Sequence, residues 1–280
     1  MNIPKTSKIL IIGGDLRQTH LFDIFVKKGY RVHSLHVPLL PDTFNNAFSY
    51  QILIFPIPFS KDGKNISTDA KLDFPVDCLN HLINNDTIII GGKFTTDFLS
   101  HNNLAAKKII DLTDLETFST ENAVATAEAA ISKAILNSSV NLCHENALVL
   151  GYGKCGRAIA SRLCALSANT YVAARNTNSR LLAGSYGNNT LELTKLKSVI
   201  GKCPFIFNTI PAMILTDDVL CLAQKHATII DIASSPGGTD FDACKKYQLN
   251  ASLCLSLPGK YSPKSSAYII YKCLEEYNEN

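Results

Sequence analysis

Residues 146–156 constrain this chain more than any other stretch. Asn146–Leu150 is a short, largely apolar run, and Gly151-Tyr152-Gly153-Lys154-Cys155-Gly156 follows it at once. A G-x-G-x-x-G pattern alone is weak. Directly after a strand, and opening a helical run over residues 157–166, it has the context of a dinucleotide-binding turn. The first glycine permits the tight turn, the second lets a diphosphate approach the backbone, and the third lets the helix pack closely on the strand. Free N–H groups at the helix start then face the phosphates. Gly151, Gly153, Lys154, Cys155, Gly156 and Arg157 are therefore candidate cofactor contacts, Cys155 through its N–H rather than its thiol.

The next strand, residues 170–174, bears on which nucleotide binds. An NAD site usually carries an acid about 20 residues past the glycine turn, to hold the ribose 2′-hydroxyl. Here the strand ends Val172-Ala173-Ala174-Arg175-Asn176, with Ser179 and Arg180 just beyond. A guanidinium suits a 2′-phosphate by charge and by fork geometry, so NADP is expected, with Arg175, Asn176 and Ser179 beside it. Two later turns, Asn208-Thr209-Ile210-Pro211-Ala212-Met213 and residues 231–240, follow strands at Phe205–Asn208 and 228–232. In open α/β sheets ligands sit outside the carboxyl ends of strands. Backbone at Thr209, Ile210, Pro211 and Ala233 is thus expected to line a nicotinamide pocket.

The rest of the chain alternates in the same manner. Strands are predicted at 8–12, 31–37, 51–57, 87–90 and 108–112, a helix at 16–28 and a long loop at 58–75. An alanine-rich helix is predicted from Ser119, as its cap, with Glu121 in its first turn. A last helix is predicted over 263–277, with Pro263 in its first turn. The pattern predicts two Rossmann-like open parallel-sheet α/β domains. They are placed at 1–118, flavodoxin- or Rossmann-like, and at 140–262, joined by a linking helix at 119–139. A C-terminal helix at 263–280 is expected to pack back toward the first domain. A chain of 280 residues has room for two such domains.

Two N-terminal loops also follow strands: Gly13-Gly14-Asp15-Leu16-Arg17-Gln18 and Gly91-Gly92-Lys93. They place cations at strand ends, where Arg17 and Lys93 would pair with a substrate carboxylate. On the long helix Asn122 and Thr126, four residues apart, share a face and are read as cleft residues. Glu128 lies ~200° from Thr126 around the axis and is assigned a structural contact, in a dimer or between domains.

Composition excludes other classes. The chain is 46% hydrophobic and 18% charged, with 27 basic against 24 acidic residues. It is too apolar for disorder and too balanced for nucleic-acid binding. No apolar run reaches ~18 residues, so no membrane span is expected, and the polar N-terminus does not read as a signal peptide. Nine cysteines are scattered without a C-x-x-C pair, which argues against metal and for core thiols in a reducing cytosol. There is no G-x-S-x-G elbow, P-loop or H-E-x-x-H.

Six stretches together resemble the dipicolinate synthase A-subunit family of endospore-forming bacteria. They are residues 13–18, 122–128, 150–157, 208–215 and 231–241, and Leu257-Pro258-Gly259 with Pro263-Lys264. Asp-Ile-Ala-Ser-Ser-Pro-Gly-Gly-Thr-Asp-Phe, at 231–241, is the most specific. Lys154 stands where the family often has Arg, and Asn176 where it often has Ser. The resemblance implies NADP-dependent oxidation of dihydrodipicolinate, a small dicarboxylate, to dipicolinate. It implies a separate partner resembling the synthase's B-subunit, a cytoplasmic place in the mother cell of a sporulating bacterium, and room for a homo-oligomer. Arg17, Lys93, Lys260 and Lys264 are then candidates for the two carboxylates. Gln18, Gly92, Asn122, Ser235 and Ser262 stand beside them. Asp15, Arg17 and Thr126 are the catalytic candidates, and the ring proton goes to Asp15 or to water. Two alternatives stay open: another NADP-dependent oxidoreductase of a small carboxylate, or a non-catalytic nucleotide-binding protein that leaves the chemistry to its partner.

Overall fold

The run Lys8–Ile12 (β1) is buried on both faces. Ile9 and Ile11 enter one core and Leu10 and Ile12 another. That is the signature of a central strand in a parallel sheet. In the computed structural model of the chain, residues 3–70, 72–101 and 108–277 are described. They fall into two compact units. Unit 1 comprises Met1–Asn122 with Gly259–Asn280, and unit 2 comprises Ala123–Pro258.

In unit 1, β1 leads into Leu16–Lys27 (α1), and then come Arg31–Leu35 (β2), Ile52–Ile54 (β3), Ile88–Gly91 (β4), Thr96–His101 (α2) and Ile109–Asp111 (β5). The sheet order is β2-β1-β3-β4-β5, every pair parallel. This is the flavodoxin-like order, whose switch point lies between β1 and β3. Two predicted strands end early for local reasons. β2 stops at Leu35 because His36 turns to φ +55°. β3 stops before Pro56 and Pro58, which have no N–H to give a ladder.

The alanine-rich helix runs Glu116–Leu136 (α3), three residues earlier than predicted at both ends of 119–139. Ser119 is not its cap. It lies inside the first turns, its hydroxyl donating to the carbonyls of Leu115 and Glu116 at 2.9 and 3.2 Å. Glu121 accordingly sits beyond the first turn and pairs with Lys272 at 2.8 Å. The helix gives its first turns to unit 1 and, from Ala123, the remainder to unit 2. There Ala127, Ala130, Ile131 and Ala134 share a core with Ala160 and Leu163. Glu128 pairs with Arg162 at 3.2 Å, inside unit 2 rather than in the dimer or interdomain contact expected of it.

Unit 2 continues with Asn146–Leu150 (β6), Lys154–Ala165 (α4), Asn169–Ala173 (β7), Thr177–Ser185 (α5), Asn189–Leu191 (β8) and Phe205–Asn208 (β9). Asp217–Leu220 (α6), Thr228–Asp231 (β10), Phe241–Lys246 (α7), Asn250–Leu253 (β11) and Leu257–Tyr261 (α8) complete it, α8 running on past the unit boundary. The order β11-β10-β9-β6-β7-β8 is all parallel. In Rossmann terms it is 3-2-1-4-5-6 read from β8, with the switch point between β6 and β9. β6 splits its side chains as β1 does: Ala147 and Val149 into one core, Leu148 and Leu150 into the other.

The chain then returns to unit 1. Pro263–Glu276 (α9) packs on α1, burying Ala267, Ile270, Tyr271 and Leu274 with Leu21 and Phe25. The Phe25 and Tyr271 rings meet edge-on with centroids 5.4 Å apart. Each such large apolar side chain contributes about 1.5–3 kcal/mol when fully buried, so α9 is part of this unit's core. Among the described residues no helix is long and apolar enough to cross a membrane.

Candidate cofactor and substrate sites

The glycine turn lies at the carboxyl end of β6, at the switch point of unit 2. Gly151 has φ +91°, and a Cβ there would stand 2.5 Å from Thr209 Oγ1. A Cβ on Gly156 would meet the Gly151 carbonyl oxygen at 2.2 Å. These two glycines are required by packing alone. Gly153 differs, because a Cβ built on it meets nothing within 4 Å. It is the N-cap of α4, and no side chain caps the helix start. The turn therefore combines open space with uncapped N–H groups at a helix N-terminus, the conditions a diphosphate needs. Lys154 and Arg157 flank it, Arg157 exposed. Burial pushes the Cys155 thiol above its ordinary value, with Lys154 opposing, which disfavours a thiolate there.

The two later turns are built by side chains that sequence reasoning treated only as turn residues. Asn208 is fully buried. Its Oδ1 accepts from Ile210 N at 3.1 Å and its Nδ2 donates to Ile210 O at 3.2 Å. The Asp231 carboxylate, also fully buried, accepts from Ala233 N at 2.8 Å, Thr239 Oγ1 at 2.6 Å and Gly238 N at 3.3 Å. Gly238 locks the turns together. Its carbonyl accepts from Leu215 N at 2.9 Å, and a Cβ there would collide with Asn208 Nδ2 at 2.2 Å. Thr209, a predicted cofactor contact, spends its hydroxyl on Leu150 O at 2.8 Å, so it shapes the glycine turn. Pro211 and Ser235 are exposed, and Ala233 is buried.

Past β7, Arg175 is exposed, and its guanidinium makes no hydrogen bond or ion pair with the described residues. Asn176 is the N-cap of α5. Its Oδ1 caps α5, accepting from Asn178 N at 2.8 Å and Ser179 N at 3.3 Å, since a short amide at a helix start is the best partner for its free donors. Ser179 sits in the first turn of α5, half-buried.

In unit 1 the predicted residues gather around Arg17 at the carboxyl ends of β1 and β3. Arg17 is 6% exposed. Its Nε and Nη2 donate to the two Asp15 oxygens, each at 2.8 Å, and Nη2 donates to Ile57 O at 2.6 Å. A Cβ on Gly92 would touch Ile57 at 3.1 Å, and one on Gly259 would lie 2.4 Å from Asp15 Oδ2. Gly259 thus closes on the ion pair itself, and Gly92 on the side chain of Ile57, whose carbonyl Arg17 holds. Asp15 also caps α1, and Gln18 Oε1 completes the capping box by accepting from Asp15 N at 3.2 Å. Gln18, 1% exposed, braces the start of α1. Burial raises the Asp15 carboxyl, but hydrogen bonds and charge from Arg17 outweigh it and hold the group below its ordinary value. An acid so held is a weak base, which removes the reason for making it the proton acceptor.

Lys93 is exposed, on backbone at φ +55°. Lys260 and Lys264 are exposed and Ser262 is half-buried ahead of α9. On α3, Asn122 is half-buried and Thr126 buried. No group of three or more His, Cys, Asp or Glu among the described residues is arranged to hold a metal.

The family model for the N-terminal domain of the dipicolinate synthase A-subunit matches residues 8–115. The dipicolinate synthase A-subunit of Bacillus subtilis (strain 168) is 28% identical over 283 residues, covering 96% of this chain and 95% of that protein. The crystal structure of the A-subunit from Bacillus halodurans has the same fold, with a TM-score of 0.86 at 24% identity, covering 96% of this chain and 97% of that one. The crystal structure of the Bacillus subtilis protein gives 0.83 at 26% identity, over 96% and 95%.

Proposed function

From the premise that this chain is a relative of the dipicolinate synthase A-subunit, we propose that it is a nicotinamide-dinucleotide-dependent oxidoreductase. In this reading it uses NADP and oxidises dihydrodipicolinate to dipicolinate together with a separate B-subunit-like protein. One observation carries the cofactor reading. At the β6/β9 switch point the Gly153 turn is open above a helix start that no side chain caps, and Arg175, without a side-chain partner among the described residues, stands at the exit of the neighbouring strand. The diphosphate lies on the N–H groups of Cys155 and Gly156 in the first turn of α4, and Arg175 takes the 2′-phosphate. The turns braced by Asn208 and Asp231 line the nicotinamide end.

When bound, the nicotinamide accepts a hydride, and what falls to the protein is placement. Arg17 supplies a buried, fixed guanidinium whose Nη1 takes no part in the bonds to Asp15 and Ile57. Asp15 orients it, and Gly259 keeps the space around it narrow. Lys93, Lys260, Lys264 and Ser262, with Gln18 as brace, are the remaining candidates for a dicarboxylate. Asn122, Thr126 and Ser235 stay assigned to substrate contact or orientation. The ring proton passes to water, Asp15 being held ionised by Arg17.

The test is co-purification with the B-subunit-like partner and supply of dihydrodipicolinate, following the near-ultraviolet absorbance of NADPH as it forms. NADPH formation with partner and substrate supports the reading. Turnover with 2-oxoacids alone points to a different oxidoreductase. NADPH binding without turnover of any substrate reduces the role to nucleotide binding.

A further inference from the structure

Two arginines stand near the exit of β7, and the structure separates their work. Arg180, on α5, has a side chain only 15% exposed. Its Nη1 donates to the carbonyls of Ala174 and Arg175 at 2.9 and 2.8 Å. Its Nη2 donates to Thr177 Oγ1 at 3.1 Å and Glu192 Oε1 at 3.2 Å. Glu192 directly follows β8, and Ala174 N donates to Leu191 O at 3.1 Å. Arg180 therefore clasps both carbonyls of the turn that presents Arg175 and ties that turn to the end of the next strand. It also neutralises Glu192, whose side chain is 52% exposed and whose charge would oppose a phosphate. Only a planar fork reaches so many acceptors at once.

We propose that Arg180 is a positioning residue that sets coenzyme choice through Arg175, by fixing the 174–176 turn and cancelling the Glu192 charge, without itself touching the 2′-phosphate. This rests on reading unit 2 as an NADP site. With Arg180 removed, the turn loses two carbonyl partners and Glu192 is freed to compete for Arg175. The choice then drifts toward NAD while the diphosphate grip at residues 151–157 is untouched.

The experiment titrates the full chain calorimetrically with NADPH and with NADH. The variants are Arg175→Ala, Arg180→Gln, Arg180→Lys, the Arg175→Ala/Arg180→Gln double variant and Arg180→Gln/Glu192→Gln. Wild type prefers NADPH and Arg175→Ala levels the two. Arg180→Gln weakens NADPH roughly tenfold, the scale of one lost charge-assisted bond, and leaves NADH within about twofold. Arg180→Lys, which keeps charge without the fork, falls between and serves if the glutamine variant does not fold. The double variant with Arg175→Ala loses less than the product of the two single losses, and Glu192→Gln in the Arg180→Gln background restores part of the NADPH affinity. If Arg175→Ala levels the coenzymes while Arg180→Gln and Arg180→Lys keep the wild-type ratio, the inference about Arg180 falls and the NADP reading stands. If the double variant loses the product of the two single losses, Arg180 touches the phosphate and the inference also falls. If wild type does not discriminate, the NADP reading fails and takes the inference with it.

Discussion

Gly153→Ala separates a ligand effect from a folding effect. Gly153 sits at φ −75° and ψ −167°, an extended conformation open to any residue, and its added Cβ meets nothing within 4 Å. Two small terms act on stability. Removing a glycine from the unfolded chain stabilises by about 0.4–1 kcal/mol. Alanine is a poorer N-cap than glycine by a similar amount, about 0.5–1 kcal/mol. They nearly cancel, so the melting temperature should move by no more than a few degrees. The methyl group, however, stands at the helix start that a diphosphate must approach. Losing one or two charge-assisted bonds to the N–H groups costs about 1.5–3 kcal/mol, or roughly ten- to a hundredfold in NADPH affinity. Gly156→Ala is the contrast, because its Cβ would lie 2.2 Å from the Gly151 carbonyl oxygen. It should lower stability and affinity together. The assay pairs thermal unfolding with a fluorescence titration of NADPH. A folded Gly153→Ala chain that binds NADPH as tightly as wild type would refute the placement of the diphosphate at this turn.

Two further outcomes follow from Asp15 and Asp231. Asp15 is held below its ordinary value in the folded chain, so its contribution to stability is complete above the unfolded value of about 3.9 and is lost as pH falls through the folded value. The stability gap between wild type and Asp15→Asn should be flat from about pH 5 to 8 and shrink on acidification below about pH 4. A gap that instead grows in acid would contradict the Arg17 pairing. Asp231→Asn turns one of three satisfied acceptances toward N–H donors, and urea unfolding should show a loss of about 2–4 kcal/mol. A loss below about 0.5 kcal/mol would mean the 231–239 turn does not depend on this carboxylate.

The parts of the fold legible in the sequence are those that burial writes in apolar letters. β1, β6 and β9 are buried on both faces, and their runs stand out without any partner being known. β8 and β11 are short edge strands reading Asn-Thr-Leu and Asn-Ala-Ser-Leu, half or more exposed, and nothing in such residues marks a strand. In the site, the glycine turn is legible because its spacing is geometric. The roles of neighbouring polar residues are less so. Asn176 reads equally as a ligand contact or a helix cap, and the structure uses it as the cap. Arg17 reads as a free cation, yet Asp15, two residues before it, neutralises it. A capping signal was present in Asp15-Leu16-Arg17-Gln18, where an acid is followed three residues later by glutamine. It marks both Asp15 and Gln18 as scaffold.

Because α9 completes the core of unit 1, the order of synthesis and the order of folding differ. The ribosome releases β1 to β5 and α1 first and supplies the helix that shields Leu21 and Phe25 only after the whole of unit 2 has emerged. At about 5–20 residues per second, that face of α1 meets water for on the order of ten seconds or more. Unit 2, contiguous in the chain, can close first, and the nascent N-terminal half is the part that calls for a chaperone's shelter.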